Sequence, residues 1–133
     1  MMVVDASAIL AITLLEEDAL TFKEALAEKR GGVMSAVNYW EALVRMQGLH
    51  GSEGLARTDG LLSEARVEIV GADPSSARAA AAAFRGFKAR STGRLNLGDC
   101  FAYALAEREG DGLLFKGDGF TKTDVKNALA PDG

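Results

Sequence analysis

The sequence predicts an α/β protein in which a central parallel sheet is covered by helices on both faces. Three observations lead there. Short apolar runs at Met1 to Val4, Val33-Met34, Val67 to Val70 and Gly112 to Phe115 have the length and content of buried strands. Between them lie longer stretches whose apolar residues recur at helical spacing. The 133 residues, 48% hydrophobic and 26% charged, suit one core rather than two, so residues 1–130 are read as a single domain and 131–133 as a short polar tail.

The first strand ends at Asp5, and Ala6 to Leu14 reads as a helix opened by Asp5 or Ser7. Glu17 to Glu28 carries Leu20, Phe22, Ala25 and Leu26 at helical spacing, and Gly31-Gly32 stops it before the second strand. Ser35 is placed to cap the helix Ala36 to Gln47, whose expected apolar face is Val37, Trp40, Leu43 and Val44. A further helix spans Glu53 to Ala65 ahead of the third strand. Pro74 suits the first turn of an alanine-rich helix reaching Phe87, and the last helix runs from Gly98 to Glu109.

Bulk composition excludes several chemistries. A formal charge of −4 does not advertise a polyanion binder, so any nucleic-acid contact needs a local basic patch. With one cysteine, Cys100, no intrachain disulfide forms, and that thiol sits in an apolar helix as a core residue rather than a nucleophile. With one histidine, His50, neither a zinc finger nor a nuclease using two histidines as acid and base is available. The apolar opening is broken by Asp5 and lacks a basic leader, so no membrane span and a cytoplasmic protein are expected.

Four carboxylates stand in apolar or small-residue surroundings: Asp5, Glu41, Asp99 and Asp118. Asp5 and Asp118 follow strands and Asp99 opens a helix, and ligands of parallel sheets gather beyond the carboxyl ends of strands. Each acid also has a plainer reading. Asp5 caps a helix, Asp99 complements a helix amino end, Asp118 forms a turn, and Glu41 pairs with Arg45. Four acids brought together would repel one another unless a hard divalent cation sat between them, and such a cation activates water for in-line attack on a phosphodiester. Asp124 is a further acid that either joins this set or caps the terminal segment; Ser7 and Thr121 are hydroxyls near the same loops. Arg85, Lys88, Arg90 and Arg94 form a basic segment leading to Asp99, and with Lys116 they supply a candidate surface for a phosphate backbone.

The blocks VVDASAILAI, SAVNYWEALVRM, LNLGDCFAYALAE and LLFKGDGFTKTDV resemble, in order, those of the PIN-domain ribonucleases, and among them the VapC toxins of bacterial toxin-antitoxin pairs. The resemblance spans nearly the whole chain. It implies a PIN-like three-layer α/β fold and an endoribonuclease that uses Mg2+, with Mn2+ able to substitute. It also implies a homodimer held in check by a cognate VapB-type antitoxin. By position it makes Asp5, Glu41, Asp99 and Asp118 the catalytic and metal-binding set, with Asp124 optional; Ser7, Arg90, Arg94, Lys116 and Thr121 are candidate substrate contacts on their charge, hydroxyls and place in the sequence alone. The chain has Asp118-Gly119 where many relatives have paired acids, and Ser91-Thr92-Gly93-Arg94 where many have histidine-proline-alanine. The alternative expectation is a catalytically inactive PIN-like module that binds protein or RNA.

Overall fold

The computed structural model describes residues 1–89 and 95–130, with backbone alone at 88 and 89. Four strands, β1 (Val3–Val4), β2 (Gly32–Ser35), β3 (Val67–Val70) and β4 (Leu113–Leu114), form one parallel sheet in the order β3-β2-β1-β4. Among the described residues five helices surround it: α1 (Ala6–Thr13), α2 (Ala19–Lys29), α3 (Ala36–Glu64), α4 (Pro74–Ala89) and α5 (Leu97–Glu109). The expected α/β architecture is therefore observed.

Side chains alternate across the sheet, as strand geometry requires. Met2, Val4, Met34 and Leu114 point to one side, where Ala8, Ile9, Ile12, Phe22, Leu26, Ala42 and Leu62 of α1 to α3 cover them. Val3, Val33, Leu113 and Phe115 point to the other, against Ala80, Phe87, Cys100, Tyr103 and Leu105 of α4 and α5. Two apolar layers sandwich the sheet, and the buried Cys100 belongs to the second.

Helix α3 is the two consecutive helices of the sequence reading, merged across a break at Gly51, where φ is 57° and ψ −142°. A left-handed φ of this kind suits glycine. The second half folds back so closely that a Cβ on Gly54 would lie 2.1 Å from the Met46 carbonyl oxygen.

One expectation is corrected. The buried stripe of α3 is Asn38, Ala42 and Met46, while Trp40 and Val44 remain 62% and 45% exposed. What α3 turns inward is an amide, a methyl and a flexible thioether, while Trp40 and Val44 face out. The outer stripe is left as bare apolar surface.

Candidate active site

β1 lies between β2, reached through α1 and α2, and β4, reached by a crossover past α4 and α5. Chain direction through the sheet thus reverses at β1, and the crevice beyond its carboxyl end is the expected ligand position. Asp5 stands there, its N–H donating to the Leu114 carbonyl at 2.9 Å. Its side chain caps α1: Oδ2 accepts the Ser7 N–H at 3.1 Å and the Ser7 hydroxyl at 2.5 Å. The Ser7 oxygen in turn accepts the Lys116 N–H at 2.9 Å, tying the ends of β1 and β4 together.

Glu41 arrives from the second turn of α3, whose start is fixed by the Ser35 hydroxyl accepting from the Val37 N–H. Asp99 arrives from the first turn of α5 through a capping box, with Asn96 Oδ1 accepting the Asp99 N–H at 2.8 Å and Asp99 Oδ2 accepting the Asn96 N–H at 3.1 Å. Asp5, Glu41 and Asp99 line one open cavity of about 510 Å³, together with Ser7, Glu16, Arg45, Asn96 and Lys116. The plain capping readings of Asp5 and Asp99 hold, and they are compatible with this convergence because each cap occupies one oxygen. The pairing of Glu41 with Arg45 is not seen: among the described residues no salt bridge joins them.

The three acids share one electrostatic condition. Burial is the largest influence on each carboxyl and raises it above its ordinary range. The Ser7 bonds partly oppose this for Asp5, the Asn38 amide for Glu41 and the Asn96 N–H for Asp99. Repulsion adds to the rise, from Asp5 and Asp99 on Glu41 and from Asp5 on Asp99. Each acid is thus close enough to feel another.

No three His, Cys, Asp or Glu side chains among the described residues are already arranged to clamp a metal ion directly. The donor set is nonetheless all oxygen, negative and open to solvent, which is the chemistry of a hydrated hard cation that touches one or two carboxylates and keeps several waters.

The other sequence candidates are spread more widely. Lys116 lines the cavity, but its ammonium group is held by Glu16 at 3.0 Å and Asp18 at 2.9 Å, and these acids raise its pKa. Asp118 is exposed in the turn after Gly117, whose φ is 95°, and is not among the residues lining the cavity. The Thr121 hydroxyl donates to the Asp118 carbonyl at 2.8 Å, which occupies it in that turn. Asp124 accepts from the Tyr103 hydroxyl and likewise does not line the cavity. Arg90, Arg94 and the rest of the 90–94 segment lie outside the described residues, as does the 131–133 tail.

Two residues at the site escape the sequence reading. Asn38 is fully buried beneath Glu41, and its spacing of four from Ala42 and eight from Met46 is the signal that marks the buried stripe. Arg45 enters that reading only as a partner for Glu41, yet it stands at the cavity as a cation without a salt bridge to it.

A reversal-point crevice lined by carboxylates, on a four-stranded parallel sheet between two helical layers, is a ligand site of the open α/β class. Residues 2–126 match the PIN domain, and the chain belongs to that family. Within it the likeness is to VapC proteins. Ribonuclease VapC42 of Mycobacterium tuberculosis H37Rv is 43% identical over 130 residues, covering 96% of this chain and 98% of the relative. Among solved structures, VapC20 of Mycobacterium tuberculosis, described as a sarcin-ricin loop cleaving toxin, superposes with a TM-score of 0.77 at 12% identity over 95% of this chain and 97% of that one. A chain of VapBC2 from Rickettsia felis, solved bound to a DNA fragment from its promoter, gives 0.72 at 15% identity, with 91% of each chain covered. At these identities the structural matches speak to the fold alone.

Proposed function

We propose that this protein is an endoribonuclease and the toxin of a type II toxin-antitoxin pair, cutting RNA with the help of a divalent cation. The observation that carries the reading is the common cavity of Asp5, Glu41 and Asp99, in a chain 43% identical to a VapC ribonuclease over nearly its full length. Magnesium is the cation best matched to this all-oxygen set, and manganese is able to take its place. When bound it supplies Lewis-acid stabilisation of phosphate charge and a more acidic water.

The chain's own residues supply the rest. Asp5, Glu41 and Asp99 hold the cation, and Ser7 and Asn96 orient two of these carboxylates. Arg45 stands at the same cavity as the cation best placed to meet a scissile phosphate. Asp118, Asp124 and Thr121 act, in this reading, on the loops around the site rather than in the ligand set. Arg90 and Arg94 extend the RNA path from Asp99 on the strength of their charge and sequence position alone.

A VapB-type antitoxin is the natural partner, in line with the VapBC assembly of the Rickettsia relative. A homodimer is supported by Trp40 and Val44, which α3 presents to solvent as an apolar stripe next to the site. A cytoplasmic location follows from an RNA target; among the described residues no helix is long and apolar enough to cross a membrane.

Mapping RNA ends after inducing the wild-type chain and its Asp99→Asn variant tests the function. New 5′ ends at discrete sites, absent with the variant, are expected. Identical end profiles in both would instead favour a binding module without catalysis.

A further inference from the structure

The amide of Asn38 is one of the least exposed polar groups in the molecule, with no solvent-accessible surface. Its Nδ2 donates to Glu41 Oε1 at 2.9 Å and to the Gly98 carbonyl at 3.0 Å. Both partners only accept, so the amino side of the amide has to face them. Oδ1 then points into the protein with no hydrogen-bond partner. An apolar side chain of the same volume would fill this position without an orphaned oxygen, so packing does not account for the asparagine.

Gly98 meets the same carboxylate from the other side. A Cβ built there would lie 2.2 Å and 2.3 Å from the two Glu41 oxygens. Its φ lies outside the left-handed range that would itself call for glycine, so what requires glycine is the space taken by Glu41. Amide and gap thus define one seat for the Glu41 carboxylate, joining α3 to the amino end of α5 where Asp99 stands.

We propose that Asn38, together with the bare Cα of Gly98, is a positioning device that fixes the Glu41 carboxylate against α5, so that Glu41 and Asp99 present a preformed pair of oxygen donors to the cation. Neither residue touches substrate or metal. The inference rests on the metal-binding reading of the cavity, and outer residues that orient metal ligands commonly govern affinity by 10- to 100-fold.

The test uses manganese alone, titrated by calorimetry into the intact wild-type chain and into Asn38→Leu, Gly98→Ala and the double variant, with metal-free melting curves for each. Asn38→Leu keeps the branched shape, with bulkier ends, and removes the donor; Gly98→Ala pushes only the flexible end of Glu41. Each single variant is expected to weaken Mn2+ binding at least about 10-fold, and by more than any fall in its metal-free melting temperature explains. Because both act on one seat, the double variant should lose little beyond either single one. Unchanged Mn2+ affinity in both single variants overturns the proposal, as does weakening in either that tracks a fall in its metal-free melting temperature. Losses that simply multiply in the double variant also overturn it. If wild type binds no Mn2+, or Asp5→Asn binds it equally well, the metal-binding reading itself is what fails, and it takes this inference with it.

Discussion

Replacing Ser7 with alanine removes one oxygen that serves two neighbours. The hydroxyl donates to the Asp5 carboxylate at 2.5 Å and accepts the Lys116 N–H at 2.9 Å, while the Ser7 N–H still reaches Asp5 in the variant. A hydrogen bond to an ionised group contributes roughly 1.5–3 kcal/mol, and a backbone N–H left without a partner costs roughly 1–3 kcal/mol. The two overlap because the site is partly open to water, so a loss of about 3 kcal/mol at pH 7 is expected, read from urea unfolding at unchanged slope. The Asp5 share depends on its charge. Burial raises its carboxyl, and the Ser7 bonds pull it back; without the hydroxyl it protonates more readily. The penalty of the variant should therefore shrink as pH falls from 7 towards about 4, leaving the Lys116 share. A loss under about 1 kcal/mol, or one independent of pH, would refute the reasoning that the Ser7 hydroxyl favours the charged form of Asp5.

The same carboxylates give the metal-free protein an unusual pH response. Asp5, Glu41 and Asp99 are all raised when folded, so their contribution is greatest when protonated, below the ordinary values of 3.8 and 4.5, and is lost as pH rises through the raised ones. Metal-free Asp5→Asn should thus melt higher than wild type at pH 7, with the gap closing towards pH 4; thermal melts in chelator that show a lower melting temperature at pH 7 count against crowded charge at this cavity. Asp124→Asn tests its assignment outside the ligand set. It should weaken the Tyr103 contact, costing about 1 kcal/mol, and leave Mn2+ affinity within about twofold of wild type, whereas a large loss of affinity would return Asp124 to the ligand set.

Much of this site is legible without coordinates. Asp5 after a buried strand and Asp99 at a helix start place themselves, because local chain geometry decides both and strand ends of a parallel sheet converge. Ser35 as a cap and the division of α3 into two helices are legible for the same local reason. Which face of α3 is buried is not local. Val37, Trp40, Leu43 and Val44 form the more apolar stripe in a periodicity argument, yet tertiary packing buries Asn38, Ala42 and Met46 instead. Asn38 and Gly98 are hidden for a related reason: they are 60 residues apart, and each makes sense only once both meet the Glu41 carboxylate. Asp118 and Asp124 show the converse, since acids near a strand end in sequence are carried off the cavity by the turn at Gly117 and by the Tyr103 hydroxyl.

The central claim is that Asp5, Glu41 and Asp99 together hold a divalent cation. Anomalous diffraction from crystals grown with manganese locates that ion without reference to activity. The account predicts one strong peak within the cavity, with at least one oxygen of Asp5, Glu41 or Asp99 at direct coordinating distance and any remaining carboxylate of the three bonded to its waters. A peak only at Asp118 and Asp124, or none in the cavity at saturating manganese, contradicts it.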